Sequence, residues 1–162
     1  MPVDTTGVAT AAHAASLALE LLAKITHSNA GLAEAESLRQ IAEDDVAAYN
    51  RFLTSPPQER VLVQRDAIET PMRAARTALA GLDLCLAASN SIRDSVAADL
   101  GVAAELLAAA ARGILLCAGQ NLKAVSEDPS YAATLAERQT LGARAEAGAG
   151  TVIRTVTESI SR

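Results

Sequence analysis

Aromatic side chains are almost absent from this sequence. Its 162 residues include one phenylalanine, two tyrosines and no tryptophan. Residues with a branched β-carbon are also scarce, except near residues 151–160. Sheet proteins cover their pleated surfaces with these two kinds of side chain. The composition therefore argues against a β-sandwich, a barrel or a Rossmann sheet.

Clusters of positive charge are missing as well. Fourteen lysines and arginines stand against 19 aspartates and glutamates, so the formal net charge is −5. Binding to nucleic acid needs a concentrated basic face that releases counterions, and an acidic average disfavours anionic membranes. No run of roughly 18 apolar residues lacks a charge, and residues 1–30 lack the basic start of a signal peptide. We therefore expect a cytoplasmic protein that binds neither nucleic acid nor membrane.

Cysteine and histidine are few, and their spacing matches no metal site. Cys85 and Cys117 lie far apart in apolar helical sequence, where a thiol behaves as a small hydrophobe, so we expect both to be reduced. Neither His13 nor His27 has the spacing of His-Glu-x-x-His. A Gly-x-Ser-x-Gly elbow, a P-loop and a dinucleotide fingerprint are also absent. We predict no metal, so any catalysis must come from carboxylates, amides and His13.

Alanine and leucine are abundant, with 37 and 20 copies respectively. This composition predicts one all-α domain over residues 1–162. Alanine lets helices approach closely but buries little apolar area, so a bundle of this length has a thin core when alone. Association completes such a core. We expect a homodimer.

Turn-forming residues divide the chain into about five long helices. The predicted helices run from Asp4 to about His27, from about Leu32 to Leu53, from there toward Ser89, from about Ser91 to Val125, and from Asp128 to the C-terminus. Asp4, Thr5 or Thr6 can cap the first helix. Ser55 is predicted to cap the third, with Pro56 in its first turn.

Three of the predicted helices contain residues that could bend or interrupt them. Pro71 is predicted to kink the third helix, because proline lacks an amide hydrogen and its ring clashes with the preceding turn. For the fourth helix, a short break near residues 97–99 is kept as an alternative to a continuous helix. In the fifth, glycines leave a mobile loop over residues 141–151 open as an alternative, although helix is favoured.

One carboxylate falls on an apolar face of the second helix. The apolar stripe consists of Leu38, Ile41, Ala42, Tyr49 and Phe52. Helical spacing puts Asp45 in the middle of this stripe, where an ionised carboxylate is costly to bury. Asp45 therefore either pairs with a neighbour in a groove between helices, or lines a pocket where partial desolvation serves a cationic ligand.

Three further polar residues have both a structural and a functional interpretation. Asn121 continues the apolar seam of the fourth helix, where a polar residue commonly fixes register. Asp99 lies in the first turn of that helix, where the helix dipole alone favours a carboxylate. A histidine side chain can serve as an acid or a base near neutral pH, but His13 shares a stripe with Ser16, Glu20, Lys24 and His27. That stripe indicates a solvated face.

Three stretches within residues 40–125 carry the motifs of one enzyme family in the same order. Residues 42–49 read Ala-Glu-Asp-Asp-Val-Ala-Ala-Tyr, residues 67–72 read Ala-Ile-Glu-Thr-Pro-Met, and residues 98–104 read Ala-Asp-Leu-Gly-Val-Ala-Ala, with Asn121-Leu122 further along. They resemble the cyclodeaminase/cyclohydrolase family of all-helical folate enzymes, which includes formiminotransferase-cyclodeaminase and methenyltetrahydrofolate cyclohydrolase. Asp45, Tyr49, Asp99 and Asn121 match family positions, whereas Cys117 falls where the family has asparagine.

The amino-terminal segment departs from the family pattern. A Gly-Gly-Gly-Ser loop in the family is replaced here by Thr5-Thr6-Gly7-Val8, so that only Gly7 and a hydroxyl survive. Flexible glycines let the backbone approach a planar ligand. We therefore expect a tighter pocket mouth, and weak binding or slow turnover of ordinary folates.

The resemblance implies a homodimer of helical bundles with ligand sites in grooves near the dimer interface. It implies chemistry on the one-carbon bridge of a tetrahydrofolate derivative, without a tightly bound cofactor. A cyclisation on a non-folate biosynthetic substrate and a non-catalytic dimer that binds a small molecule or a partner remain alternatives. The predicted acid–base residues are Asp45, Asp99 and His13, and the predicted substrate-binding residues are Asn121, Tyr49, Gly7 and Thr6.

Overall fold

The protein is a bundle of five long helices. The structure, a computed structural model, describes residues 3–56, 60–123, 125 and 127–161. The helices are α1 (Gly7–Thr26), α2 (Leu32–Thr54), α3 (Arg60–Ser89), α4 (Ala97–Lys123) and α5 (Ala132–Ile160), and single 3-10 turns at Asp94–Val96 and Pro129–Tyr131 precede α4 and α5. Because no strand occurs among these residues, the predicted all-α bundle is confirmed.

Each helix runs antiparallel to the next. The contacts that show this are Thr6–Asp45 and Glu20–Arg39 for α1 and α2, Gly31–Leu84 and Asp44–Arg73 for α2 and α3, Ala67–Asn121 and Gly81–Leu107 for α3 and α4, and Gly101–Ile153 and Gly119–Arg138 for α4 and α5. α4 lies at the centre, against α1, α3 and α5. The up-and-down order places the start of α1 beside the end of α4.

Local signals explain the helix ends. Of the three predicted caps for α1, Thr6 is the one used, and its hydroxyl accepts the Ala9 amide at 3.0 Å. Asp128 caps the 3-10 turn before α5 by accepting the Ser130 amide at 2.9 Å. Both residues satisfy amides that have no partner inside the helix.

Two predicted boundaries were wrong. Ser55 does not begin the third helix: it ends α2, where its amide donates to the Arg51 carbonyl at 2.8 Å, and Pro56 lies outside any helix. The start predicted for α3 partly falls on residues 57–59, outside the described residues. The break predicted near residues 97–99 comes one turn earlier, as the 3-10 turn at Asp94–Val96.

The alternative of a loop over residues 141–151 was also wrong, because α5 continues through it. A Cβ on Gly148 would lie 2.7 Å from Leu82 Cδ2. Glycine is needed there for α5 to pack against α3, and that packing offsets its poor helix propensity. α3 likewise continues through Pro71, and the kink predicted there remains a prediction.

The core is apolar and is built from small and large residues in alternation. Where α1, α3 and α4 meet, a Cβ on Gly81 would lie 2.6 Å from Leu19 Cδ2 and 3.0 Å from Leu107 Cδ2. The solvated face predicted for the His13 stripe was wrong at Ser16, which is 1% exposed. The Ser16 hydroxyl has no hydrogen-bond partner within the described part of the chain.

Two segments are long and apolar enough to cross a membrane by length and composition alone. They are α1 and the segment Asp94–Lys123, and in each about half of the most apolar window, 56%, is buried inside the bundle. Core helices of a bundle pass the same test. The remaining apolar surface of α1 and α4 faces outward.

Candidate functional site

α2 brings Asp45 to the amino-terminal end of α1. The Thr6 hydroxyl donates to Asp45 Oδ2 at 2.5 Å, while the same hydroxyl oxygen accepts the Ala9 amide. One side chain therefore joins the helix cap to the carboxylate. The start of a helix also carries a partial positive charge, which favours an anion at this place.

Burial raises the pKa of Asp45 above its ordinary value, and the hydrogen bond from Thr6 opposes that rise. Desolvation is the larger effect because it disfavours the charged form of a carboxyl group. The carboxyl group is thus shifted toward the pH range in which an acid–base residue exchanges protons.

Cys117, on α4, lies beside the start of α1. A Cβ on Gly7 would lie 3.1 Å from Cys117 Sγ, so glycine leaves the thiol room. Burial raises the pKa of the Cys117 thiol, and the negative charge of Asp45 raises it further. The thiol therefore stays protonated at neutral pH. Sequence reasoning treated Cys117 as a core hydrophobe, although its match to an asparagine of the family motif marked the position.

Two open grooves flank the amino-terminal end of α1, and Thr5 borders both. The first has a volume of about 610 Å³ and is largely apolar; it is lined by Thr5, Thr6, Gly7, Thr10, Ala11 and Ala14 of the α1 segment and by Leu106, Ala109 and Ala110 of α4. The second, of about 440 Å³, lies toward α2 and includes Asp4, His13, Glu43 and Asn50. Thr6 lines the first groove, whereas Asp45, which Thr6 contacts, is not among the residues that line either groove.

Two predicted site residues lie around the second groove and the outside of α2. His13 is exposed and lines the second groove with Glu43. Tyr49 lies one turn beyond Asp45 and is 45% exposed, so the apolar stripe of α2 is buried only over its first half. Asn50, which the sequence did not single out, holds Val3 by two hydrogen bonds, of 2.9 and 3.0 Å.

Asn121 has an internal partner. Its Nδ2 donates to the Ala67 carbonyl oxygen at 2.7 Å. In a regular α-helix that carbonyl would accept the amide hydrogen of residue 71, and Pro71 has none. Asn121 thus supplies, from α4, the hydrogen bond that proline removes from α3. One amide hydrogen of this predicted substrate-binding residue is committed to the fold.

Asp99 lies far from this group of residues. It is exposed in the first turn of α4, whereas Cys117 is 18 residues further along the same helix. At about 1.5 Å per residue the two are roughly 27 Å apart along the axis. A single copy of the chain therefore brings together Thr6, Gly7 and Asp45 of the predicted site, with Cys117 added, but leaves Asp99 at the opposite end.

A family model for formiminotransferase-cyclodeaminase matches residues 5–140. The chain belongs to the formiminotransferase-cyclodeaminase family. A search of curated proteins returned no match. The matched range includes the three resembling stretches, and Thr6, Gly7, Asp45 and Cys117 all fall inside it.

This member of the formiminotransferase-cyclodeaminase family has two substituted positions, one at the start of α1 and one on α4 facing it. Thr6 stands where the resemblance expects a glycine-rich loop, and it is the residue that touches Asp45. Cys117 stands where the resemblance expects asparagine, and it faces Gly7. Among the described residues, no group of three or more histidine, cysteine, aspartate or glutamate side chains could hold a metal ion. The side chains grouped around the start of α1 supply a carboxyl from Asp45, a hydroxyl from Thr6 and a thiol from Cys117.

Proposed function

We propose that this protein is a metal-independent enzyme that acts on a cationic amidine or iminium centre, with a tetrahydrofolate one-carbon derivative as the first substrate to test. One observation carries the proposal. Asp45 is a partly desolvated carboxylate with a raised pKa, and it accepts a hydrogen bond from Thr6, which lines an apolar groove. An anion in such a place stabilises positive charge and exchanges protons.

The chemistry follows from that single carboxylate. In a cyclohydrolase reaction, water adds to the cationic methenyl carbon, and Asp45 takes the proton that the water loses. In a cyclodeaminase reaction a formimino group closes a ring, and the departing ammonia needs a proton that a carboxylic acid can donate. A positioned acid–base group of this kind typically contributes about 10² to 10⁴-fold.

A non-folate substrate is the second candidate, and the start of α1 favours it. Thr5 and Thr6 add side chains at the groove where the resemblance expects flexible glycines. A flat pterin would have to approach that segment closely. The same carboxylate would then serve a cyclisation on a substrate of another shape.

Hydrolysis of methenyltetrahydrofolate, followed by its ultraviolet absorbance, tests the proposal. Asp45→Asn keeps the shape of the side chain and removes its charge, so kcat/KM should fall at least about tenfold. Asp44→Asn is the matched control, because Asp44 is its exposed neighbour and pairs with Arg73 on the surface. That variant should keep activity within about twofold.

Equal activity of Asp45→Asn and the native protein would exclude Asp45 as the acid–base residue. If the native protein shows no turnover but folates raise its melting temperature, the groove binds without catalysis. If folates give neither turnover nor a thermal shift, the non-folate substrate becomes the better candidate.

A further inference from the structure

The segment of residues 3–6, just before α1, is anchored to α2 at both of its ends. At one end, Asn50 accepts the Val3 amide at 2.9 Å and donates to the Val3 carbonyl oxygen at 3.0 Å. At the other end, the Thr6 hydroxyl donates to Asp45 Oδ2. The two residues between these anchors form no hydrogen bond to α2 within the described part of the chain. Asn50 and Asp45 are therefore the two residues whose hydrogen bonds fix this segment to α2.

The segment has little slack between its anchors. Asp45 and Asn50 are five residues apart on α2, which in a regular helix puts about 9 Å between their Cα atoms. The three steps from Val3 to Thr6 span at most about 10 to 11 Å when fully extended. The Thr6 backbone is itself extended, with φ −127° and ψ 169°. A movement of Val3 away from Asn50 is therefore passed on to Thr6.

The side-chain amide of Asn50 suits this contact. An amide has a carbonyl oxygen and an NH₂ group side by side, so it can pair with both polar groups of one backbone residue. A carboxylate offers no donor, and an apolar side chain offers neither a donor nor an acceptor. Asn50 is also half-buried at the second groove, outside the apolar core. Its residue type is thus explained by its contact with Val3.

The carboxylate at the far anchor is the group on which the proposed chemistry depends. We propose that Asn50 is a positioning residue, which by holding Val3 keeps the Thr6 hydroxyl on the carboxylate of Asp45. Asn50 acts through the segment and does not itself touch the carboxylate. Its importance for turnover rests on the proposed function, whereas the positioning itself does not.

The hydrogen bond from Thr6 is the part of the Asp45 environment that the segment controls. It lowers the pKa of Asp45, while burial raises that pKa by more. Cys117, on α4, is the titratable group that shares the field of Asp45, and Arg73, on α3, pairs with the neighbouring carboxylate. Both are held by helices and not by the segment. Release of the segment should therefore weaken the Thr6 hydrogen bond and raise the pKa of Asp45 further.

The titration of Asp45 tests the positioning without any substrate. NMR follows the carboxyl carbon of Asp45 against pH, and its signal is assigned by its absence in Asp45→Asn. Asn50→Leu removes both hydrogen bonds to Val3 and should raise the pKa of Asp45 at least about half as much as Thr6→Val does. In a Thr6→Val background, Asn50→Leu should cause no further rise, because it acts through that hydroxyl.

Two further variants make the result independent of changes in α2. Val3→Pro removes the amide hydrogen that Asn50 accepts and leaves α2 unaltered, so it should also raise the pKa of Asp45, by less than Asn50→Leu does. Gln40→Leu is the matched control, because it replaces an exposed amide of the same helix that donates to Asp44. It should leave the titration unchanged. Circular dichroism confirms that each variant keeps its helix content.

Two results would overturn the positioning. One is an Asp45 titration that stays at its native pH, or moves to lower pH, in both Asn50→Leu and Val3→Pro. The other is an equal rise on Asn50→Leu with and without the Thr6 hydroxyl, since Asn50 would then act on Asp45 by another route.

Turnover of methenyltetrahydrofolate by the same variants separates this inference from the proposed function. Asn50→Leu should lower kcat/KM at least about threefold, with no further loss in the Thr6→Val background, and the acidic limb of the pH profile should move with the Asp45 titration. Coupled titrations in a protein that does not turn over folate would support the positioning and contradict only the folate substrate. Turnover that depends on Asp45, with uncoupled titrations, would support the enzyme and overturn the positioning.

Discussion

The middle of the bundle and the end at which α1 begins are packed by different kinds of contact. In the middle, glycine and leucine interlock, as Gly81 does with Leu19 and Leu107. At the end, side chains meet through polar atoms, as Thr6 meets Asp45 and as Asn121 meets the Ala67 carbonyl. In the buried middle, α1, α3 and α4 meet through apolar contacts, while the ion pairs between helices join side chains that are partly exposed. The polar contacts at the end therefore need a separate reason.

Two different reasons apply at that end. Asn121 repairs a backbone hydrogen bond that Pro71 removes, so its role is explained by the fold. Asp45 does not replace a missing backbone hydrogen bond. Burial disfavours its charged form, which is why its pKa is raised. Ser16 is the exception in the middle, because its buried hydroxyl has no partner among the described residues. Four predictions test this division, from the largest expected effect to the smallest.

Gly148→Ala should lower the free energy of unfolding by about 1 to 3 kcal/mol, because the new Cβ would meet Leu82 at 2.7 Å. Gly150→Ala, two residues along the same helix, has nothing within 4 Å of its added Cβ. It should raise the free energy of unfolding by up to about 1 kcal/mol through helix propensity. Urea denaturation measures both. Effects of the same sign would mean that α5 is not held by close packing on α3.

Asn121→Leu should cost about 1 to 3 kcal/mol of stability, because the Ala67 carbonyl loses its donor. In a Pro71→Ala background, residue 71 has an amide hydrogen for that carbonyl, and the cost of Asn121→Leu should be smaller. A double-mutant cycle in urea measures the coupling. Additive effects of the two substitutions would show that Asn121 does not compensate for the proline.

Ser16→Ala should raise the free energy of unfolding by about 1 kcal/mol, since it removes a buried hydroxyl without a partner. Thermal unfolding followed by circular dichroism measures it. Ser37→Ala, at an exposed position of α2, is the control and should change little. If Ser16→Ala lowers activity and leaves stability unchanged, Ser16 belongs with Asp45 to the functional site and not to the apolar core.

Asp45→Asn should have the smallest effect on stability, and the size of that effect should depend on pH. Below the ordinary aspartate pKa of about 4, residue 45 is uncharged in both proteins, so their stabilities should be similar. As the pH rises from there through the higher pKa of the folded protein, the unfolded chain holds fewer protons than the folded one, and native stability falls relative to Asp45→Asn. Urea midpoints at pH 3 and pH 7 measure the difference. A native protein more stable than the variant at pH 7 would show that Thr6 outweighs desolvation.

Local signals were enough to predict the helices and one part of the site. Thr6 and Asp128 are capping residues whose effect is confined to one turn, so the ends they fix could be predicted. The position of Asp45 on the inner face of α2 followed from helical spacing alone. The missing hydrogen bond at Pro71 was also predictable, because it concerns residues four apart.

The rest depends on which helices become neighbours. The donor that compensates for Pro71 comes from α4, 50 residues further along the chain, and periodicity cannot identify it. Ser16 was misjudged because its burial depends on which helices pack against α1, and the sequence of α1 does not identify them. Asp99 matches a family motif, yet the direction of α4 places it at the other end of the bundle. A spacing pattern shows which residues share a face and leaves open what that face meets.

The double use of Thr6 gives the site a spectroscopic reporter. The Thr6 hydroxyl oxygen accepts a hydrogen bond from the Ala9 amide, and the same hydroxyl donates its hydrogen to Asp45. The two hydrogen bonds therefore share one oxygen atom. Any change in the charge of Asp45, by protonation or by a bound cation, alters the polarity of that oxygen. The nitrogen and proton chemical shifts of Ala9 should therefore follow the ionisation of Asp45 in an unmodified protein, before any substrate is known.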